Sequence, residues 1–319
     1  MLSTSKKSVS IRLEDPNVVF RGNHRDGEPY NFGGSVQLTA GTPTTVIDVK
    51  ITLQAFRKVS WPTNTLQASW VRQKDLVFCK ELQLLLPGSE GGVDCNYGHE
   101  CHSWPFNFAL DATMPETVDS LPFSYIHYYM IAEVRTGRWR KPLRTVQGVR
   151  VTKAPSSWAE DTCFPEQSAD IWPNKISYRI SLPRVHHTLA RQMAVDFLLI
   201  PLKDGLSIGH IELDLIETTF LVATKEGQLW RADKSTKVIA STVASIPSQC
   251  KGEAESLQGL ETPEESQKFS INLDLPQGLN LRFRSIEDEK IKVGYVLKVS
   301  VDLVNPDGHV SKVGSPFPY

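Results

Sequence analysis

Apolar and polar residues alternate one for one in segment after segment of this chain. Successive side chains of a β-strand point to opposite faces, so a sheet with one dry and one wet face is written with this period of two. Across residues 46–56, Ile47, Val49, Ile51, Leu53 and Ala55 fall on one side, and Asp48, Lys50, Thr52 and Gln54 on the other. The same period runs through Val9/Ile11/Leu13, Val36/Leu38, Leu82/Leu84/Leu86, Phe106/Phe108/Leu110, Ile126/Tyr128/Met130/Ala132/Val134, Ile176/Tyr178/Ile180/Leu182, Val195/Phe197/Leu199, Ile211/Leu213/Leu215, Phe269/Ile271/Leu273/Leu275 and Tyr295/Leu297/Val299/Val301/Leu303. Few long segments keep the helical period near 3.6. Turn-forming residues at Gly33-Gly34, Pro87-Gly88, 276–278 and 305–308 read as punctuation between strands. The pattern predicts an all-β protein built of antiparallel sandwiches.

The order of elements in the first half returns in the second. GSVQLTAGTPTTVIDVKITLQAF (34–56) is a short alternating strand, a turn with Pro and Gly, and a long alternating strand; VDFLLIPLKDGLSIGHIELDLIETTF (195–220) has the same plan. Further on, an F-x-F strand, a Pro-bearing loop and a tyrosine-centred strand occupy 106–134, with a counterpart at 269–301. Phe106 follows Val36 at nearly the interval at which Phe269 follows Val195, as duplicated domains would have it. A chain of 319 residues is long enough for two domains of about 150 residues with a core each. The aperiodic segment 153–174 is the expected boundary, giving domains 1–153 and 170–319. A second aperiodic stretch at about 231–267 is expected to be a long mobile loop.

Charge and cysteine content restrict the partners. Lys plus Arg at 35 against Asp plus Glu at 36 leaves a formal charge of -1, so no global field draws the chain to nucleic acid or anionic lipid, and an electrostatic partner must be met by a local patch. The start, MLSTSKKSVSIRLEDP, lacks the apolar run of a secretory signal, and no stretch approaches the roughly 18 apolar residues of a membrane span. Cys79, Cys95, Cys101, Cys163 and Cys250 are few, odd in number and irregularly spaced, which suits free thiols in a reducing compartment. The expected location is the cytoplasm.

With these elements in place, the chain resembles the alpha-arrestins of the fungal arrestin-related trafficking adaptor group over nearly its whole length. SIRLEDPNVVFRG and FGGSVQLTAGTPTTVIDVKITLQAF with a trailing SWP are similar to the family's first strands. YGHECHSWPFNFALDATMPETVDSLPFSYIHYYMIAEV resembles its Gly-x-x-x-His-x-x-Pro-Phe pattern, Pro-Glu-Thr-Val segment and Tyr-centred strand. NKISYRISLPRVHHTLARQMAVDFLLIPLKDGLSIGHIELDLIE is similar to the start of its C-terminal domain. The resemblance implies two tandem immunoglobulin-like β-sandwiches, the arrestin fold. It also implies a non-enzymatic adaptor linking membrane-protein cargo tails to a WW-domain HECT-type ubiquitin ligase and endocytic sorting, with recruitment to the plasma membrane or endosomes and no cofactor. A sorting or coat subunit of the same fold is the alternative. The Pro-Pro-x-Tyr and Leu-Pro-x-Tyr segments by which many members recruit WW domains do not occur. The nearest pieces are LPFSY (121–125) and the terminal Pro316-Phe317-Pro318-Tyr319. Either a tail bearing the motif lies outside this sequence, or recruitment works otherwise.

Four further groups of residues carry candidate chemistry. Cys95-Asn-Tyr-Gly-His99-Glu-Cys101-His102 brings ligands that zinc accepts into eight residues, the basis of a metal-dependent hydrolase alternative, but its spacing fits no common zinc pattern and no second ligand pair follows. His186-His187 has no nucleophile elbow or phosphate loop to serve, so neither a catalytic nor a metal site is expected. Lys6, Lys7 and Arg12 lie where animal arrestins, by the same resemblance, set lysines against phosphorylated tails, with solvated terminal charges as the competing reading. Arg135, Arg138, Trp139, Arg140, Lys141 and Arg144 form a cationic cluster around a tryptophan that suits a membrane surface or an acidic partner.

Overall fold

The computed structural model describes residues 7–21, 29–41, 44–63, 69–85, 94–95, 101–137, 141–154, 166–182, 192–245, 266–276 and 285–318. Among these residues the structure is all β, and no helix is long and apolar enough to cross a membrane. The chain divides into two compact units, Met1–Ser157 with Ala223–Gln228, and Trp158–Val222 with Leu229–Tyr319.

The strands of the first half are β1 (Ser8–Leu13), β2 (Asn17–Arg21), β3 (Tyr30–Thr39), β4 (Thr44–Thr45), β5 (Asp48–Thr63), β6 (Ser69–Leu85), β7 (Asp94–Cys95), β8 (Cys101–Leu110), β9 (Tyr125–Arg135) and β10 (Leu143–Ala154). They form a three-stranded sheet, β1-β3-β8, a five-stranded sheet, β2-β10-β9-β5-β6, and the short pair β4-β7. Period-two residues supply the core. Phe32, Val36, Leu38, Phe106, Phe108 and Leu110 of one sheet, and Val49, Ile51, Leu53, Ala55, Ile126, Tyr128, Met130, Ala132 and Val134 of the other, are all buried. Each large side chain taken from water in this way contributes about 1.5–3 kcal/mol. The phase does not extend back to Ile47: the strand begins at Asp48, and it is Val46 that is buried while Ile47 is half-exposed. All described ladders of this unit are antiparallel except β10 with β2, which run parallel from Arg150↔Asn17 to Ala154↔Arg21.

The Pro-Glu-Thr-Val segment has a physical task here. Thr117 N–H donates to the Val151 carbonyl and its hydroxyl accepts Val151 N–H, both at 2.9 Å. Glu116 accepts Lys153 N–H at 2.5 Å, and Val118 exchanges two main-chain bonds with Ile126. The loop before β9 is thereby sewn onto β10, and the buried Tyr128 hydroxyl donates to the Pro115 carbonyl at 2.7 Å. Gly33-Gly34, read as a turn, lies instead inside β3. A Cβ on Gly34 would stand 2.5 Å from the Arg12 carbonyl oxygen and 2.8 Å from Phe106 Cζ, so the close approach of neighbours, and not a reversal of the chain, calls for glycine there.

The second half comprises β11 (Glu166–Trp172), β12 (Ile176–Leu182), β13 (Gln192–Pro201), β14 (Ser207–Lys225), β15 (Gln228–Ser245), β16 (Gln267–Asp274), β17 (Ile286–Glu287), β18 (Ile291–Val304) and β19 (Val310–Pro318). One sheet has the order β11-β12-β13-β16; the other runs β15-β14-β18, with β17 and β19 sharing the far side of β18. Ile176, Tyr178, Ile180, Leu182, Val195, Phe197 and Leu199 face Ile211, Leu213, Leu215, Leu297, Val299 and Val301 in burying the core. The expected repeat is present as topology: β6-β5-β9-β10 and β15-β14-β18-β19 have the same order, as do β1-β3-β8 and β12-β13-β16.

The loop expected at 231–267 is corrected in its first part. Residues up to Ser245 continue β15, an edge strand whose side chains are mostly exposed on both faces, so its ladder with β14 orders it without leaving an apolar alternation. Residues 246–265 lie outside the described ones. Glu166–Trp172, within the stretch read as the boundary, is likewise an edge strand, β11.

Candidate binding faces

The outer face of the five-stranded sheet carries the polar phase of the alternation. Lys50 on β5 sits opposite Glu133 on β9, and Glu133 opposite Arg144 on β10. Lys50 Nζ lies 3.2 Å from Glu81 Oε2 and 3.6 Å from Glu133 Oε2, and Arg144 Nε lies 3.6 Å from Glu133 Oε1. Four strands thus hold a row of alternating charge. The hydrogen bond to Glu81, with the two carboxylate charges, raises the Lys50 pKa against a small opposing effect of burial. Arg144 is therefore partly neutralised within the sheet, with more than half of its side chain still exposed. Arg135 and Lys141 are exposed, with no ion pair among the described residues. Arg138, Trp139 and Arg140 lie outside them.

Further along the same face the side chains change character. Trp70, Arg72, Lys74 and Leu76 project from β6, Phe56 and Lys58 from β5, and Tyr125, His127 and Tyr129 from β9. Trp70 packs edge-on against Phe123 with ring centres 4.9 Å apart, and Tyr125 stacks on His127 at 4.3 Å. Each cation lies over a ring: Lys58 over Tyr125 at 5.7 Å, Arg72 over Trp70 at 5.5 Å and Lys74 over Phe56 at 4.2 Å. Burial lowers the His127 pKa, and the Asp119 carboxylate only partly opposes it. Asp119 itself is paired with Arg150 at 2.5 Å. This aromatic and cationic band was not among the residues singled out from the sequence. Its signal is the outward phase of the alternating strands, with W-x-R-x-K-x-L in β6, F-x-K in β5 and Y-x-H-x-Y in β9.

The other candidate residues are dispersed. Lys7 precedes β1, and Arg12 projects from β1 opposite Ser35 and is exposed; Lys6 lies outside the described residues. Cys95 belongs to β7, whereas Cys101 and His102 belong to β8, in a different sheet. His102 stacks on Trp104 at 5.9 Å, and His99, His186 and His187 are outside the described residues. Among the described residues no three His, Cys, Asp or Glu side chains are grouped to hold a metal ion. Pro316 and Pro318 are part of β19, opposite Lys298 and Val296; Tyr319 lies outside the described residues. Two residues apart, both prolines point their nitrogens to the same side, and continuity of the ladder makes that the side away from β18.

Two duplicated sandwiches with this strand order define the class, and the family comparison agrees: residues 172–318 match the C-terminal domain of arrestin (or S-antigen). The second half of the chain is thus similar to an arrestin domain. Over 98% of its length it is 29% identical to the HECT-type ubiquitin ligase-interacting protein creD of Emericella nidulans, covering 52% of that protein. It is 30% identical over 98% of its length to the probable HECT-type ubiquitin ligase-interacting protein creD of Aspergillus oryzae, and 28% identical over 98% to that of Aspergillus clavatus, covering 52% and 51% of them. The chain spans about half the length of these curated relatives, which are named for a protein they interact with and not for a reaction.

Proposed function

We propose that this protein is a non-enzymatic, cytoplasmic adaptor that couples membrane-protein cargo to a HECT-type ubiquitin ligase and so to endocytic sorting. The observation that carries the reading is similarity along 98% of the chain to relatives named for interaction with such a ligase. The architecture suits the task, because a sandwich commits its inner faces to core and leaves outer faces, edges and end loops for partners. No cofactor is needed. Arg135, Arg138, Trp139, Arg140, Lys141 and Arg144, with Lys6, Lys7 and Arg12, are the proposed contacts to acidic cargo tails or the membrane surface. Pro316, Pro318 and Tyr319 are proposed to meet the ligase.

Affinity purification of the tagged full chain from native cells tests the proposal. A HECT-type ligase together with a transporter or receptor is expected in the eluate. Since Pro316 and Pro318 belong to β19, the terminal contact is tested by Pro316→Ala with Tyr319→Ala, not by truncation. A sorting complex recovered without any ligase overturns the proposal in favour of a coat or sorting subunit.

A further inference from the structure

The band on β6, β5 and β9 is more apolar than an outer sheet face requires. Trp70 is 40% exposed, Phe123 50% and Leu76 55%, and the three lie together on one side of the sheet with the rings of Phe56, Tyr125 and Tyr129. Its charge is of one sign. Lys58, Arg72 and Lys74 have only aromatic rings as partners among the described residues. The nearby carboxylates are engaged elsewhere: Asp119 by Arg150 at 2.5 Å, and Asp75, turned to the opposite face, by Arg57 at 3.6 Å. A partner must therefore bring negative charge and tolerate exposed rings.

We infer that this face docks an anionic membrane leaflet. An extended acidic peptide fits less well: pairing along the free edge of β6 it would meet that strand, while Lys58, Tyr125 and Tyr129 of the same band lie across β5 and β9, out of its line. A pleated surface with amphipathic Tyr and Trp rings at one level and Lys and Arg beside them matches the headgroup region, where aromatic rings and cations both gain. The inference deepens the adaptor reading, resting on it for its setting while its chemistry stands on the band alone.

Vesicle flotation with the full chain provides the test. Phosphatidylcholine vesicles carrying phosphatidylserine are expected to float the protein, vesicles of phosphatidylcholine alone are not, and added salt weakens binding. Arg72→Glu with Lys74→Glu should reduce binding at least about tenfold, and Trp70→Ser with Phe123→Ser should also reduce it, with thermal melting verifying that both variants fold. Lys234→Glu with Lys237→Glu, exposed on β15, should leave the binding unchanged. The inference is overturned if the protein ignores anionic vesicles, if the β15 variant loses as much binding as the band variants, or if a glutamate-rich peptide binds through Arg72 and Lys74 while vesicles do not. Ligase recovery from membrane-free lysate is scored separately, so loss of one result leaves the other standing.

Discussion

The Tyr295 hydroxyl donates to Glu217 Oε2 at 3.0 Å between two directly opposed residues of β18 and β14. Glu217 stands in the inward phase of β14, between Leu215 and Thr219, both buried, so its carboxylate needs a donor that the dry side of a sheet seldom offers. Tyr295, only 4% exposed, supplies it while its ring fills the core. Tyr295→Phe is expected to cost about 1–2 kcal/mol in urea unfolding. Glu217→Leu combined with Tyr295→Phe should recover most of that loss, since the buried carboxylate no longer lacks its donor.

Gly34 and Gly148 make opposite predictions. Ala at Gly34 drives a methyl into the Arg12 carbonyl, a main-chain atom that cannot swing aside, and should destabilise by about 1–3 kcal/mol. Gly148 on β10 has nothing within 4 Å of where a Cβ would stand. Gly148→Ala should be neutral or slightly stabilising, because it removes freedom from the unfolded chain. Thermal melts of the two variants separate the cases.

His127 gives a pH dependence of known sign. Its folded pKa lies below the ordinary 6.5 because burial disfavours the imidazolium. The unfolded chain then binds more protons, so stability is full above about pH 6.5 and falls as pH drops through the lowered folded value. His127→Gln should flatten this part of the stability curve, measured by urea midpoints across the acid range. A curve of unchanged slope in the variant would remove His127 as its source.

Glu133→Gln breaks the charged row at its centre and leaves Lys50 with Glu81 alone. All members of the row are partly solvated, so the loss in stability should stay below about 1 kcal/mol and shrink as salt is added. The same change should release Arg144 and strengthen binding of the hairpin cations to heparin, read as later elution from a heparin column.

The strands that form the two cores were legible because burial of one face forces the period of two: Ile126 to Val134 and Tyr295 to Leu303 fall as the alternation places them. Apart from β10, which lies between β2 and β9, the strands that escaped are edges. β15 and β11, and most of β6, are held by a main-chain ladder to one neighbour, so their side chains were free to be polar or charged on both faces. The cation cluster was legible only as composition, because Glu133, which absorbs Arg144, faces it across a hairpin and not along the sequence. The aromatic band gathers three separate segments whose outward residues look like ordinary surface until β6, β5 and β9 are laid side by side.

The parallel clasp of β2 on β10 bears on how the protein is made. Asn17–Arg21 can find its partner only after residue 154 has left the ribosome, so the amino-terminal sheet stays incomplete through most of that half's synthesis. Until then the Val18 and Phe20 side chains have no finished interior to enter, and a chaperone that shields nascent chains has a defined window in which to act.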